Sequence, residues 1–545
     1  MLTTTVKPLT ETDRLKQAFC QTIVSIAETF PQSPTKQQTL ELDPAAPHIA
    51  ETATTLLNWV PDRSLISPFV SLARFHEAQG NYHQSEIWLE SCLNAIQTRL
   101  GENDRQVATT LNNLALLDRT QGHYDKAEAR CWQALQILER LDEIDRPEIA
   151  TVFNTLAEIY SARGQYDQAA QFGQKSLKLR QKRTGEDRST LINNFNNLAT
   201  IHHAQGQYQL AETYYLQALE IIKASTGERS LSVANTLSNL ATIHHAWGHY
   251  EEAENWTLIS LQMRVELLGN DHLDIAISLN NLAGLYYERY RYTEAEQLWL
   301  RSLEIKEHLV GSDPDDVALI VSNLGSLYHA QGRDPEAEQY YHRALTIRER
   351  VFGEIHPAIA TSLNNLAALY FDRERYDEAQ QLWQQSLDIR TQLQQFDRPD
   401  TATTLNNLAY LYAHQGDRPA AEQHYLDALA IQERLLGNDH PDVALTLHNL
   451  SYLYKSQGKY QQATALAERS LQIRQQKLAS NCLDIALSLE NLATLYYCLK
   501  RYAEMEPLLM QTLTIRTDLY GEYHPDSIAI REAIVRLQKQ IRHQQ

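Results

Sequence analysis

The sequence has little that would support a strand, a disulfide framework or a membrane span. Val and Pro are sparse while Ala, Leu, Gln, Glu and Asn dominate, which favours helix. The five cysteines form no CxxC pair and have no His at zinc-finger spacing, so neither a disulfide scaffold nor a metal site is expected. No stretch approaches the roughly 20 apolar residues of a spanning helix, and the first residues lack the apolar core of a signal peptide. We therefore expect a cytoplasmic protein.

Positive charge is also scarce. Lys and Arg number 49 against 68 for Asp and Glu, a net charge of -19, which argues against nucleic acid and membrane partners. The sequence contains no G-x-x-x-x-G-K-[ST], no G-x-G-x-x-G and no G-x-S-x-G elbow after a strand. Its carboxylates lie on repeated helix surfaces, where solvated faces are the usual explanation. We expect no enzymatic activity and no cofactor.

What the sequence has instead is a period of 42 residues without insertion or deletion. An anchor leucine marks each step, at Leu114, Leu156, Leu198, Leu240, Leu282, Leu324, Leu366, Leu408, Leu450 and Leu492. A second leucine keeps the same step from Leu93 to Leu513. Together they define eleven copies over residues 66–527.

Each copy predicts two antiparallel helices. In residues 402–443, the apolar side chains between Leu405 and Tyr412 recur at i, i+3, i+4 and i+7, and Gly416 then ends the first helix. A left-handed residue closes such a turn, and only Gly does so without a Cβ clash. Three copies carry another residue there, so we expect slightly strained turns at Tyr290, Glu374 and Lys500.

The repeated residues resemble the tetratricopeptide repeat. Its pattern has Ala after Leu in the first helix, Gly seven residues on, then Tyr and Ala. A 42-residue copy with LNNLA, QGxYxEAE, IRE and GxxHPD is similar to the kinesin light chain type, over about 460 of the 545 residues. Residues 1–65 show no heptad coiled coil and contain Pro31, Pro34, Pro44, Pro47 and Pro61 among their prolines, so bacterial proteins made almost only of this repeat are the closer likeness.

We therefore predict an all-α fold, a right-handed superhelical α-solenoid of eleven tandem 42-residue helical hairpins, because one hairpin cannot bury its apolar face alone. Residues 1–65 would form an N-terminal extension with short helices and a partial cap, and residues 528–545 a C-terminal capping helix. The predicted repeats are 66–107, 108–149, 150–191, 192–233, 234–275, 276–317, 318–359, 360–401, 402–443, 444–485 and 486–527.

A polar face of the first helix is the candidate binding surface. At 100° per residue, Asn406, Asn407 and Tyr410 lie opposite the apolar stripe, on the wall expected to be concave. Asn recurs there at Asn113, Asn197, Asn239, Asn281, Asn323, Asn365, Asn407, Asn449 and Asn491. The preceding position adds Asn112, Asn154, Asn196, Asn280, Asn364 and Asn406. We call the first of these two series the ladder.

Asn is a mediocre helix former, so a merely solvated face has little reason to repeat it. Its amide offers donors and an acceptor together and can satisfy the backbone of an extended peptide. The family resemblance implies that Asn at this place grips peptide backbone. Two alternatives stay open: the ladder braces neighbouring repeats, or it records recent duplication.

Aromatic residues follow on the same face toward the C-terminal half, at Tyr287, Phe371, Tyr410, Tyr452 and Tyr497. They suggest an apolar anchor pocket in repeats 6 to 10, since aromatic side chains dominate binding hot spots. The alternative is that these rings pack against the next repeat.

The sequence thus predicts a non-enzymatic scaffold or adaptor that binds an extended peptide or disordered segment of a protein in the concave groove. One alternative is a scaffold that self-associates or docks folded partners on its convex face. Another is the sensor arm of a signalling or defence system with a separate effector.

Overall fold

The computed structural model describes residues 10–31, 36–141, 147–182, 188–309, 314–393 and 398–544. Within these ranges all regular structure is helical, with 26 α-helices, two short 3₁₀ helices and no strand. The predicted all-α repeat solenoid is confirmed. None of the described helices is both long enough and apolar enough to cross a membrane.

Short helices precede the repeats. They are α1 (Glu11–Thr29), α2 (Lys36–Leu42), α3 (Ala46–Ala53) and two 3₁₀ turns, Leu57–Trp59 and Asp62–Ser64. A capping box starts α1, because the Thr10 hydroxyl accepts from the Asp13 amide and the Asp13 carboxylate accepts from the Thr10 amide. The buried face of α1 packs against α4, the first helix of the first repeat (Ser67–Ala78).

Eleven helix pairs follow. The other first helices are α6 (Arg105–Thr120), α8 (Pro147–Ala162), α10 (Arg188–Ala204), α12 (Leu231–Trp247), α14 (Leu273–Glu288), α16 (Pro314–Ala330), α18 (Pro357–Asp372), α20 (Pro399–Gln415), α22 (Pro441–Ser456) and α24 (Leu483–Cys498). The second helices are α5 (Tyr82–Leu100), α7 (Tyr124–Arg140), α9 (Tyr166–Gln181), α11 (Tyr208–Thr226), α13 (Tyr250–Leu268), α15 (Tyr292–His308), α17 (Asp334–Phe352), α19 (Tyr376–Gln392), α21 (Arg418–Leu436), α23 (Tyr460–Lys477) and α25 (Tyr502–Tyr520).

The chain ends in α26 (Pro525–Gln544), which begins slightly before the expected residue 528. Its apolar face buries Ile534 and Leu537 against α24 and α25. The chain divides into two compact units: unit 1 holds residues 1–163 and 167–194, and unit 2 holds residues 164–166 and 195–545.

Small residues let the two helices of a repeat approach closely. The alanine in the first turn of the second helix has no exposed surface in eight successive copies. These residues are Ala127, Ala169, Ala211, Ala253, Ala295, Ala337, Ala379 and Ala421. The anchor leucines are likewise almost completely buried, as at Leu324 and Leu408. Truncating one of them to Ala should cost about 2–5 kcal/mol.

The three unusual turns are confirmed. Tyr290, Glu374 and Lys500 have φ values of 58°, 60° and 61°, and they are the non-glycine residues with positive φ among the described residues. All three therefore hold the left-handed conformation that Gly adopts in the other copies.

Buried cations tie several of the second helices to their neighbours. The Arg348 guanidinium on α17 donates to Asp315 at 2.7 Å and to the Ser362 hydroxyl of α18 at 2.8 Å. Arg474 on α23 repeats the contact with Ser488 of α24 at 2.8 Å. The second helix of one copy is thereby fixed to the first helix of the next.

Candidate groove site

The asparagines of the ladder differ in solvent exposure. Asn239 and Asn281 are exposed, whereas Asn491 is fully buried. The remaining rungs are partly exposed, namely Asn113, Asn197, Asn323, Asn365, Asn407 and Asn449. A ligand in the groove could therefore reach most rungs to different degrees.

Several rungs bond to the preceding repeat. The Nδ2 atoms of Asn323 and Asn407 donate to the Oδ1 atoms of Asn280 and Asn364, both at 2.9 Å. Asn365 donates in the same way to the Ser322 hydroxyl at 3.1 Å. These bonds brace neighbouring first helices, as one of the alternatives proposed. Each Asn side chain has two donors and an acceptor, so one such bond leaves capacity for a ligand.

Three of the asparagines in the two series are inaccessible, and the first of them, Asn112, is 5% exposed. Asn406 is 6% exposed and donates to Thr446 Oγ1 at 2.7 Å, and Asn491 is 0% exposed and donates to Ser451 Oγ at 3.1 Å. Their amides join adjacent first helices below the surface. A peptide in the groove could not touch them, so the structure corrects their assignment as contact residues.

A cleft of about 340 Å³ lies in unit 2 between α12, α14 and α16. It collects four of the candidate residues, Asn280, Asn281, Asn323 and Tyr287. His245, which the sequence places on the same face as the ladder, forms another wall, and the two main wall residues that the sequence pattern did not indicate are Glu288 and Trp299. Thr257 of α13 and Gly284 of α14 also line the cleft, and their small size leaves the space open.

Hydrogen bonds fix the polar wall of this cleft. The Trp299 indole N–H donates to Asn280 Oδ1 at 3.0 Å, and the same oxygen accepts from Asn323. Asn280 is thereby held in place, while the neighbouring Asn281 stays exposed on the same helix. Asn281 is therefore the amide best placed to meet a peptide backbone.

The opposite wall is aromatic and its rim is charged. The Tyr287 ring lies 5.8 Å from the Trp299 ring, and burial raises the pKa of the Tyr287 phenol, so its hydroxyl stays neutral. At the rim, Nε2 of His245 lies 2.7 Å from a carboxylate oxygen of Glu288. The cleft thus combines an apolar slot, neutral donors and acceptors, and one acidic group.

The equivalent positions 84 residues further along the chain form a second site between α16, α18 and α20. His329 and Asp372 form the rim pair there at 2.9 Å, and Asn407 bonds to Asn364 as Asn323 does to Asn280. This second site is filled by larger side chains. Tyr341, Ala368 and Tyr410 replace Thr257, Gly284 and Ser326. The Tyr410 ring lies 5.1 Å from Phe371, the counterpart of Tyr287.

The other aromatic candidates lie outside the open cleft. Tyr410 and Tyr452 are 53% and 42% exposed. Lys455 stands over the Tyr452 ring at 4.0 Å, and His448 lies 5.0 Å from it. The sequence signal for this cleft is the presence of small residues at Thr257, Gly284 and Ser326, and these lie in three successive copies that only the stacked structure brings together.

Two pairs of adjacent histidines, His202-His203 and His244-His245, recur one period apart, and their side chains do not converge on a common metal position. His202 bonds to Gln205 and Gln207, and His244 lies 3.1 Å from Glu212. In the part of the chain that the structure describes, no group of three or more His, Cys, Asp or Glu residues is arranged to hold a metal ion.

Comparison with known sequences identifies the repeat. Models described as tetratricopeptide repeat match residues 65–131, 124–182, 190–256, 316–392 and 400–476, and further models of that description match 275–316, 364–435 and 485–526. The chain belongs to the tetratricopeptide repeat family. No curated protein matches it.

Solved structures similar to this tetratricopeptide repeat chain include kinesin light chain-like proteins. BtubC (BKLC) from P. vanneervenii is 27% identical over 41% of this chain and 91% of its own, with a TM-score of 0.36. A putative kinesin light chain from Podosopora anserina is 24% identical over 38% of this chain and 98% of its own, with a TM-score of 0.32. A Rap protein complexed with Competence and Sporulation Factor is 16% identical over 69% and 99%, with a TM-score of 0.45.

Proposed function

We propose that this chain is a non-enzymatic scaffold that binds an extended, unfolded segment of a partner protein along its first helices. The cleft between α12, α14 and α16 would hold the anchor residue of that segment. One observation carries the proposal: the exposed amide of Asn281 lies beside an apolar slot walled by Tyr287 and Trp299. Many peptide-binding proteins combine hydrogen bonds to the peptide backbone, which give affinity, with a pocket for one side chain, which gives specificity.

The dimensions of the cleft support a peptide side chain as the occupant. A volume of about 340 Å³ is at the lower end of the range for small-ligand pockets. It has room for one large side chain and too little room for a folded element. In the related site, the Tyr410 ring lies against Phe371, so we expect an aromatic side chain of the partner to lie against Tyr287.

Selection from a displayed library of random peptides tests this proposal without knowledge of the natural partner. Peptides enriched on the wild-type chain are measured against Asn281→Ala and Ser326→Tyr. Removal of the Asn281 amide should weaken binding by about 5- to 30-fold, the effect of about 1–2 kcal/mol from lost hydrogen bonds. Ser326→Tyr should abolish binding because it fills the cleft.

Two features of the chain make this comparison well controlled. Asn255 is an exposed Asn on α13 of the same unit, two residues from Thr257 and therefore on another face of the helix, so Asn255→Ala should leave binding unchanged. Tyr is compatible with the fold in the place of Ser326, because Tyr410 stands there two repeats later. Enriched peptides that bind both cleft variants as tightly as wild type would contradict the proposal.

A further inference from the structure

Turns and loops far apart in the chain touch one another inside unit 2. The turn at Gly206, after α10, lies against His440 and Pro441 at the start of α22. The turn at Gly248, after α12, lies against Cys482, which precedes α24. Tyr290, after α14, lies against Tyr520 and His524, which precede α26. The pairs 206 and 440, 248 and 482, and 290 and 524 are each 234 residues apart. We call this line of contacts the seam.

The seam contacts are close and varied. A Cβ atom on Gly206 would lie 2.9 Å from Pro441 Cδ, and one on Gly248 would lie 3.2 Å from Cys482 Cβ. The backbone amide of Ala479 donates to the Trp247 carbonyl at 2.9 Å. The Tyr290 and Tyr520 rings meet edge to face at 5.4 Å. The seam is therefore a packed junction with its own main-chain hydrogen bond.

Copies outside the seam show what these contacts bury. The His440 side chain is 9% exposed, whereas His272, at the same position of the repeat, is 43% exposed. Gly206 and Gly248 are buried, whereas Gly332 and Gly416 at the same turn are exposed. The difference arises from position in the solenoid, because the local sequence pattern is the same.

The seam shares helices with the candidate groove. Its turns close α10, α12 and α14, and His245 and Glu288 of the cleft rim stand only three and two residues before Gly248 and Tyr290. We propose that the seam closes the groove of unit 2 along its side, so that the partner is an unfolded chain inserted by a free end. The nature of the partner rests on the proposed function, whereas the closure rests on the seam contacts alone.

Labelling of a groove cysteine tests the closure. Asn281→Cys is introduced in a Cys498→Ser background, and labelling is measured on the peptide that carries the introduced cysteine, because Cys20, Cys92 and Cys131 are buried whereas Cys482 lies in the seam. Three maleimides are compared: N-ethylmaleimide, a maleimide at the end of an unfolded peptide, and a maleimide on the surface of a small folded protein. Leu426→Cys, which is 42% exposed on α21, provides the reference rate for each reagent.

We expect the first two reagents to label both positions at similar rates. The folded reagent should label position 281 at least about tenfold more slowly than position 426, the discrimination that about 1.4 kcal/mol of exclusion produces. Gly206→Asn should restore labelling by the folded reagent, because its Cβ displaces Pro441 and opens the seam. Equal labelling of both positions in the native chain would overturn the proposal.

Matched substitutions separate seam opening from backbone strain. Gly332→Asn has nearly the same φ as Gly206→Asn, +72° against +66°, but nothing lies within 4 Å of its Cβ, so it should leave labelling unchanged. Gly248→Asn and Gly416→Asn form a second pair, at +90° and +85°. If neither seam variant accelerates the folded reagent, the closure is wrong. If the folded reagent is excluded from position 281 but no peptide is enriched by selection, the proposed groove function is wrong and the closure by the seam is retained.

Discussion

Substitution of Tyr290, Glu374 and Lys500 by Gly measures the free energy that the left-handed conformation costs at each position. It also tests whether the contact of Tyr290 across the seam offsets that cost. Their backbone conformations are nearly the same, because φ lies between 58° and 61° at all three positions. The N–H of each residue donates to the carbonyl three residues back at 2.9 to 3.0 Å. Replacement by Gly should therefore release the same strain at all three positions.

The magnitude follows from two opposing terms. A left-handed non-glycine residue costs roughly 1–2 kcal/mol, and Gly costs about 0.5–1 kcal/mol in lost chain entropy on folding. Glu374 and Lys500 are exposed, and no side-chain bond is seen for either among the described residues. We expect Glu374→Gly and Lys500→Gly to stabilise the chain by about 0.5–1 kcal/mol.

Tyr290 should behave differently because its ring packs on Tyr520 across the seam. An aromatic pair contributes about 0.5–1.5 kcal/mol, which offsets the released strain. Tyr290→Gly should therefore be neutral or destabilising. In a Tyr520→Ala background the ring keeps only its contacts with Tyr292 and His524, so Tyr290→Gly should then be more favourable than in the native background.

Urea denaturation monitored by circular dichroism measures these differences, and hydrogen exchange at the turn assigns them to one repeat, since repeat arrays can unfold in parts. Destabilisation by Glu374→Gly would refute the strain argument. Equal stabilisation by all three substitutions in the native background would show that the Tyr290 contact contributes nothing.

Three further predictions concern bracing, buried charge and pH. Asn407→Ala should cost about 1 kcal/mol because it removes the bond to Asn364, whereas exposed Asn239→Ala should be neutral, as denaturation will show. Arg348→Ala should cost about 1–3 kcal/mol in the same assay, because it leaves the buried Ser362 hydroxyl without this donor, while Asp315 is 37% exposed and can be solvated. The exposed Arg350→Ala control should change little. Burial, with the nearby charges of Arg474 and Lys455, lowers the pKa of His448 to about 4. Below about pH 6.5 the His448 imidazole binds a proton in the unfolded chain but not in the folded chain. The free energy of unfolding should therefore be highest above about pH 6.5 and decrease toward about pH 4, and His448→Gln should reduce that decrease.

The sequence by itself determined the repeat, its two helices and its turns. Each of these depends on residues within one copy: the apolar spacing from Leu405 to Tyr412, the Ala that permits close crossing, and the residue that must be left-handed. Such local rules predicted the strained turns at Glu374 and Lys500, because the same position is Gly elsewhere. They also predicted that the asparagines share a face of the first helix.

Only the tertiary structure decided which of those asparagines a ligand could reach and where a cleft opens. Asn281 and Asn491 occupy the same place in the pattern, yet one is exposed and the other buried, because their neighbours in adjacent copies differ. The seam could not be predicted from the repeat pattern, since it joins residues 234 positions apart. Its register is the sum of many small rotations between stacked repeats, and no single copy encodes that sum.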